Sequence, residues 1–482
     1  MSEALNSKVR TATVWSTIGE VFAKLVTPIT SIVLARLLTP EAFGVVTTLT
    51  MVITFAELFT DAGFQKYLIQ HEFKNAEDRE QSTTVAFWSN LVMSLLFWGI
   101  IALVNASLAA LVGNPGLGHV LVIACAAIPL EAFSSIQMAL YKRDFDFKTL
   151  TKVRMVSTLI PLFITVPLAF WLRSYWALVI GTLTVNLVNA VLLTAFSKWK
   201  PRLYYSFDKL KEMISFSIWS MVEALSIWLT NYVDIFIVGT MLSQYYLGLY
   251  KTSTTLVGQI MGLVTAITTP ILFSALSRLQ NDEQEFQRLF FRFQKIVGLL
   301  IIPLGVGIYL FRDFVTLVFL GSQWVEASGF IGLWALTGTI TIVISYYNSE
   351  VYRAKGRPKL SVLGQVLHLI VLWPVVWIAV RYGFETLYCA RSLVRLEGLY
   401  VGLFIMGIAI KMPVGKILTN ILPTCIASAS MCLVLLLPSP ANMWLNIPYA
   451  ILAAAIYLGV IMLFPAERGI VLNFKSIVTN KS

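Results

Sequence analysis

WSTIGEVFAKLVTPITSIVL, residues 15–34, is long enough to cross a bilayer, yet it carries Glu20 and Lys24. At 1.5 Å per residue, about 20 apolar residues span a hydrocarbon core of about 30 Å. The two charges decide what kind of span this is. Ser16, Glu20, Lys24, Thr27 and Ser31 recur every three or four residues, so they form one polar stripe, with Pro28 as a kink point. A charged residue at mid-bilayer costs about 2.5–3.5 kcal/mol on insertion scales, so such a stripe faces a bundle interior or water. Two readings stand: the stripe lines a water-filled cavity, or Glu20 and Lys24, four apart, neutralise each other.

The rest of the chain repeats the pattern. Of 482 residues, 57% are hydrophobic and only 13% are charged, where a soluble domain has about 25% charged. The chain is an all-α integral membrane protein, because strand-like alternation over about 10 residues is absent. Fourteen helices are expected, at 13–38, 41–69, 83–111, 117–141, 151–172, 175–197, 212–241, 245–275, 290–311, 327–351, 359–380, 385–410, 414–437 and 443–464.

Connections of two kinds alternate between them. One set is charged, including HEFKNAEDREQ, YKRDFDFKTLTKVR and KWKPRLYYSFDKLK; the other is short and nearly uncharged, including GNPGLG and PSPANM. About 28 of the 36 Lys and Arg fall on the first side, which the positive-inside rule makes cytoplasmic. Both termini are therefore expected in the cytoplasm, and the first helix is expected to be retained, with no small-residue cleavage site after it. The net charge of +11 follows from topology and does not call for nucleic acid.

Trp15-Ser16 recurs as Trp219-Ser220, Leu38-Thr39 as Leu242-Ser243, and Gly44 as Gly248, all offset by 204 residues. That offset equals six helices. It predicts two six-helix lobes, 1–204 and 205–411, related by a pseudo-two-fold axis along the membrane normal, with two further helices and a cytoplasmic tail in 412–482.

Polar stripes recur on other helices. Thr47, Thr50, Thr54, Glu57 and Asp61 share a face of the second helix; Ser220, Glu223, Thr230 and Asp234 share one on the seventh. Lys251, Thr255, Gly262, Thr265 and Thr269 mark the eighth, and these faces are expected to look into a shared space. Asp61 reads equally as a solvated interfacial charge, and Lys251 as a snorkelling one. Arg391 and Arg395 share a face of the twelfth helix; with Glu397 they make either an inter-helix clamp or an anion site. Glu131 beside Pro129 reads as a packing or interfacial residue.

Catalytic patterns are missing from the sequence. His71, His119 and His368 are far apart, and no HExxH, P-loop or GxSxG occurs. The four cysteines have no paired spacing, so neither disulfides nor a zinc site is indicated. A membrane glycosyltransferase or polymerase would need a large loop bearing acidic residues, and no loop here is long enough. A secondary transporter without a cofactor is the expectation.

LARLLTPEAFGVV (34–46) resembles the first-hairpin signature of bacterial polysaccharide flippases in the multidrug/oligosaccharidyl-lipid/polysaccharide exporter superfamily. YLGLYKTSTTLVG (246–258) is similar to its second-half counterpart, and FLGSQWVEA (319–327) and YRAKGRPKLSVLG (352–364) resemble later family stretches. The branch it looks like is the lipopolysaccharide, colanic-acid and teichuronic-acid exporter type. This resemblance implies a V-shaped fold in the bacterial inner membrane. It implies export of an undecaprenyl-diphosphate-linked oligosaccharide by alternating access, driven by an ion gradient or by removal of the product through periplasmic polymerisation, alongside membrane lipids and a polysaccharide polymerase or export machinery. Lys24, Lys251, Arg391 and Arg395 are the cations it offers a diphosphate. Glu20, Glu57, Asp61, Glu223 and Asp234 are cavity acids or carriers of a coupling ion, H+ or Na+. The alternative is a cation-coupled drug antiporter of the same superfamily, which would favour an acid-rich aromatic cavity.

Overall fold

Helix and turn account for every described element of the chain. The computed structural model describes residues 3–357, 359–438 and 442–472, apart from the side chains of 3–7, 218–220 and 223. The fourteen expected segments appear as α1 Glu3–Leu37, α2 Pro40–Asp61, α3 Ala76–Leu103, α4 Gly118–Arg143, α5 Phe147–Leu172, α6 Tyr175–Phe196 and α7 Phe207–Met241. They continue as α8 Gln244–Arg278, α9 Glu283–Leu310, α10 Ser322–Ala354, α11 Lys359–Tyr382, α12 Phe384–Ile408, α13 Val414–Leu436 and α14 Met443–Ile461. Among the described residues, thirteen of these are long and apolar enough to cross a membrane. The exception is α12, where Glu385, Arg391, Arg395 and Glu397 leave no 18-residue window with fewer than three charges.

Several helices start about one to two turns earlier than hydropathy suggests, and caps explain why. The Asn75 side chain accepts the Asp78 N–H at 2.7 Å, so α3 begins within the charged segment. Asp146 accepts the Thr149 N–H at 3.1 Å at the head of α5, and Asp282 accepts the Glu285 N–H at 3.1 Å at the head of α9. Each is a short polar side chain satisfying an orphan donor of the first turn.

The expected helix 41–69 is two helices, a correction with a local cause. Ala62 (φ 40°) and Gly63 (φ 77°) are left-handed, and a separate helix runs Phe64–Gln70. Gly63 lies against α7: its C=O accepts the Ser217 hydroxyl at 3.1 Å, and a Cβ there would come within 2.6 Å of Ser217 Cβ. Conformation and space both require glycine.

The chain packs as two compact units, residues 1–251 and 252–482. In the first, α1 lies along α5, α6 against α4 and α5, and α2 against α3 and α7. Phe64, Tyr67, Phe87, Ile136 and Met213 form a buried core beside the Phe64–Gln70 helix. In the second unit, α9 packs on α10, α10 on α12, α11 on α12, and α13 on α14 and α9.

The internal repeat has a structural counterpart inside the first unit. A Cβ on Gly44 would collide with the Gln244 carbonyl, and a Cβ on Gly248 would collide with the Pro40 carbonyl. Since 44 and 248, and 40 and 244, are the same repeat positions, the contact is reciprocal. That is the signature of a local two-fold axis. Trp219 and Ser220, the other repeat partners, have side chains outside the described residues.

Candidate functional site

Part of the polar stripe on α1 turns inward within the first unit. Ser16, Thr27 and Ser31, with Thr30, line a half-open cavity of about 760 Å³ bounded on its other sides by α4, α5 and α6. Lys142, Thr151, Arg154, Ser157, Thr158 and Asn189 supply its other polar groups. Ser157 donates to Asn189 across the α5–α6 wall, and Thr151 donates to the Trp15 carbonyl at 2.8 Å. The volume lies in the range of small-molecule sites, roughly 300–1,000 Å³.

Glu20 pairs with Arg154 at 2.7 Å, both side chains about half exposed. This corrects the neutralising Glu20–Lys24 alternative: the partner comes from α5. Lys24 is half-buried and makes no ion pair among the described residues. Arg154 is the residue that the polar-stripe reading missed, because it ends the charged stretch YKRDFDFKTLTKVR and falls in the first turn of the expected helix 151–172. The Asp146 cap was the available signal: a helix starting at Phe147 puts Thr151, Arg154, Ser157 and Thr158 on one face.

The threonines of α2 are mostly spent on their own helix. Thr47, Thr50 and Thr54 donate to the Phe43, Val46 and Thr50 carbonyls. Thr54 also accepts the Trp228 indole N–H at 3.1 Å, tying α2 to α7. Glu57 and Asp61 do come together, in a cluster with Glu131 of α4, and Lys142 offsets the negative charge. Glu131 is thus part of an acidic cluster and not an isolated packing residue. Asp61 sits at the turn after α2, with Gln65 and the backbone of Gly63 close to its carboxylate.

On α7, Asp234 is buried and accepts the Tyr250 hydroxyl of α8 at 2.6 Å. Lys251 lies within electrostatic reach of the same carboxylate. The side chain of Glu223 lies outside the described residues.

In the second unit, Arg391 and Arg395 are brought together on Trp334 of α10, at 5.0 and 3.9 Å from guanidinium carbon to ring centroid. Arg395 also donates to the Trp334 carbonyl at 3.0 Å. Glu397 does not join them; it meets His368 of α11 at 2.9 Å. The arrangement ties α10 to α12 through a stacked planar cation, a geometry that lysine does not reproduce. Arg395→Lys is therefore expected to lower the thermal stability of the purified protein nearly as much as Arg395→Ala. Full recovery in the lysine variant, read by the same melt, would show that charge alone matters there.

Fourteen long helices among the described residues, with charged and hydroxyl side chains gathered in a cavity and in clusters between them, make a multi-pass membrane protein of transporter architecture. The chain belongs to the polysaccharide biosynthesis protein family, whose profile matches residues 33–329. Among its relatives is the succinoglycan biosynthesis transport protein ExoT of Rhizobium meliloti, 25% identical over 70% of this chain and 68% of that protein. The lipopolysaccharide biosynthesis protein WzxC of Escherichia coli is 22% identical, over 77% of this chain and 75% of its own. The fold is that of the lipid II flippase MurJ in an inward closed conformation, with TM-score 0.74, 13% identity, and 94% and 98% of the two chains covered. An inward-facing multidrug resistance transporter of the MATE family superimposes with TM-score 0.60, 14% identity, and 85% and 99% covered.

Proposed function

We propose that the chain is a flippase that moves an undecaprenyl-diphosphate-linked oligosaccharide from the cytoplasmic to the periplasmic leaflet for surface polysaccharide assembly. The observation that carries this is the α1–α4–α5–α6 cavity: a largely apolar space among membrane-crossing helices, with Ser and Thr hydroxyls, Asn189, Arg154 and Lys142 in its wall. Sugars need hydroxyl and amide partners, and a diphosphate needs cations in low dielectric, where charge-assisted hydrogen bonds are strongest. Relatives named for polysaccharide biosynthesis and transport, and a fold shared with a lipid flippase, support the same substrate class. A drug antiporter has less behind it, since the named sequence relatives serve polysaccharides and the multidrug transporter superimposes less well.

In this scheme Lys24 meets the headgroup from α1 and Lys251 from α8, while Arg391 and Arg395 stabilise the second unit. Glu57, Asp61, Glu131 and Asp234 are the first unit's acids available to an ion gradient of H+ or Na+. The termini lie in the cytoplasm of a bacterium, the chain sits in its inner membrane, and a polymerase consumes the product on the far side. Lys24→Ala tests the headgroup role. It is expected to abolish surface polymer in a strain dependent on this chain while the protein stays at wild-type level in the membrane. Normal polymer from that variant removes Lys24 from the path.

A further inference from the structure

Another acid inside the helical bundle is Glu397 of α12, and it has a partner that none of the foregoing roles uses. His368 of α11 meets Glu397 of α12 with Nδ1 and Oε2 2.9 Å apart, and about a fifth of each side chain is exposed. The two helices form a hairpin that turns at Gly383, where φ is 95°. Counting from that turn, the two residues stand at matching depths, about 21 Å along each helix. That places both inside the slab of about 30 Å of hydrocarbon.

Charges at this depth are costly and mark ion pathways or proton relays by default. The neighbouring charges on the packed elements are already engaged. Arg391 and Arg395 stack on Trp334, Glu350 pairs with Arg353, Arg381 lies over Trp377, and Lys416 lies over Phe291. Among the described residues, His368 and Glu397 have no ion-pair partner but each other. At 2.9 Å a hydrogen bond joins Nδ1 and Oε2. A hard cation such as Na+ prefers several oxygen ligands over an imidazole, and no cluster of three metal-ligating side chains occurs among the described residues.

We propose that His368 and Glu397 form the proton-binding site that couples proton movement to lipid translocation, which rests on the flippase reading above. One proton loads the pair from the periplasmic side and leaves to the cytoplasm once per substrate carried outward. No covalent bond changes; the proton moves from water to the pair and back to water.

The test uses inverted membrane vesicles from the producing cells, with the full chain and the native lipid-linked oligosaccharide. Translocation is read as loss of that lipid from an added lectin on the cytoplasmic face, with and without an acidic lumen. One pH unit of gradient per proton is worth up to about tenfold. Wild-type vesicles are expected to speed up by several-fold with the gradient. His368→Gln and Glu397→Gln are each expected to lose that response, and the exchanged pair His368→Glu/Glu397→His to recover part of it. A merely structural pair predicts that His368→Leu/Glu397→Leu keeps the gradient response, because apolar replacement of a buried ion pair is often tolerated; that result overturns the proposal. Wild-type translocation indifferent to the gradient overturns the coupling alone. No translocation under any gradient overturns the flippase reading together with it.

Discussion

Replacing Arg154 with alanine should cut surface polymer by about 10- to 100-fold, the equivalent of one lost charge-assisted hydrogen bond of about 1.5–3 kcal/mol. The protein itself should remain folded and inserted. Its ion pair with Glu20, the one found among the described residues, joins two side chains that are about half exposed, and such pairs contribute only about 0–1 kcal/mol to stability. Export and stability are thereby separable at this position. Glu20→Ala frees the guanidinium without removing it, so its effect should be smaller. The double variant should resemble Arg154→Ala, since Glu20 acts on the substrate only through Arg154. The check is polymer quantified per amount of membrane-inserted protein in a strain that depends on this chain. Equal polymer from wild type and Arg154→Ala would remove the α1–α5–α6 cavity from the substrate path.

The second large effect concerns the fold. Gly44→Val or Gly248→Val should leave little inserted protein, because each added Cβ lands on a backbone carbonyl of the facing helix end, Gln244 or Pro40. Overpacking a flexible neighbour costs about 1–3 kcal/mol, and a backbone neighbour has less room to yield. Even alanine at either site should lower membrane levels several-fold. Combining Gly44→Ala with Gly248→Ala should cost less than the sum, since the first substitution already parts the two helix ends that the second one touches. Gly99 of α3 is the control: nothing lies within 4 Å of a Cβ there, so Gly99→Ala should be neutral or stabilising by up to about 1 kcal/mol. Membrane levels by immunoblot and thermal unfolding of the purified variants decide it.

The reciprocal glycine contact also shows what was legible in the sequence. Gly44 and Gly248 stood out as a repeat because a close backbone approach tolerates no side chain, so the constraint is written in residue identity. Thirteen of the fourteen expected spans were legible for a similar reason, since the bilayer imposes a length that hydropathy reports directly. Helix starts were not. Asn75, Asp146 and Asp282 begin α3, α5 and α9 inside segments whose charge makes them look like loops. Outside the hydrocarbon, capping chemistry rather than hydropathy sets the boundary.

The same blind spot hid Arg154 from the site. Partner choice was hidden for a different reason. Periodicity puts Glu20 near Lys24, and Arg391 and Arg395 near Glu397, because it sees one helix at a time. The actual partners, Arg154, Trp334 and His368, all come from neighbouring helices. Intramembrane charges are satisfied across helices wherever packing offers a better geometry than the i, i+4 neighbour.

The central claim is that this chain carries lipid-linked oligosaccharide across the bilayer, and its most direct test is the leaflet in which that lipid resides when the chain is absent. In cells lacking the chain, the intermediate is expected to accumulate facing the cytoplasm while surface polymer disappears, and the wild-type chain is expected to restore both. Intermediate that still reaches the periplasmic leaflet, with surface polymer unchanged in a strain without a second flippase, would contradict the account.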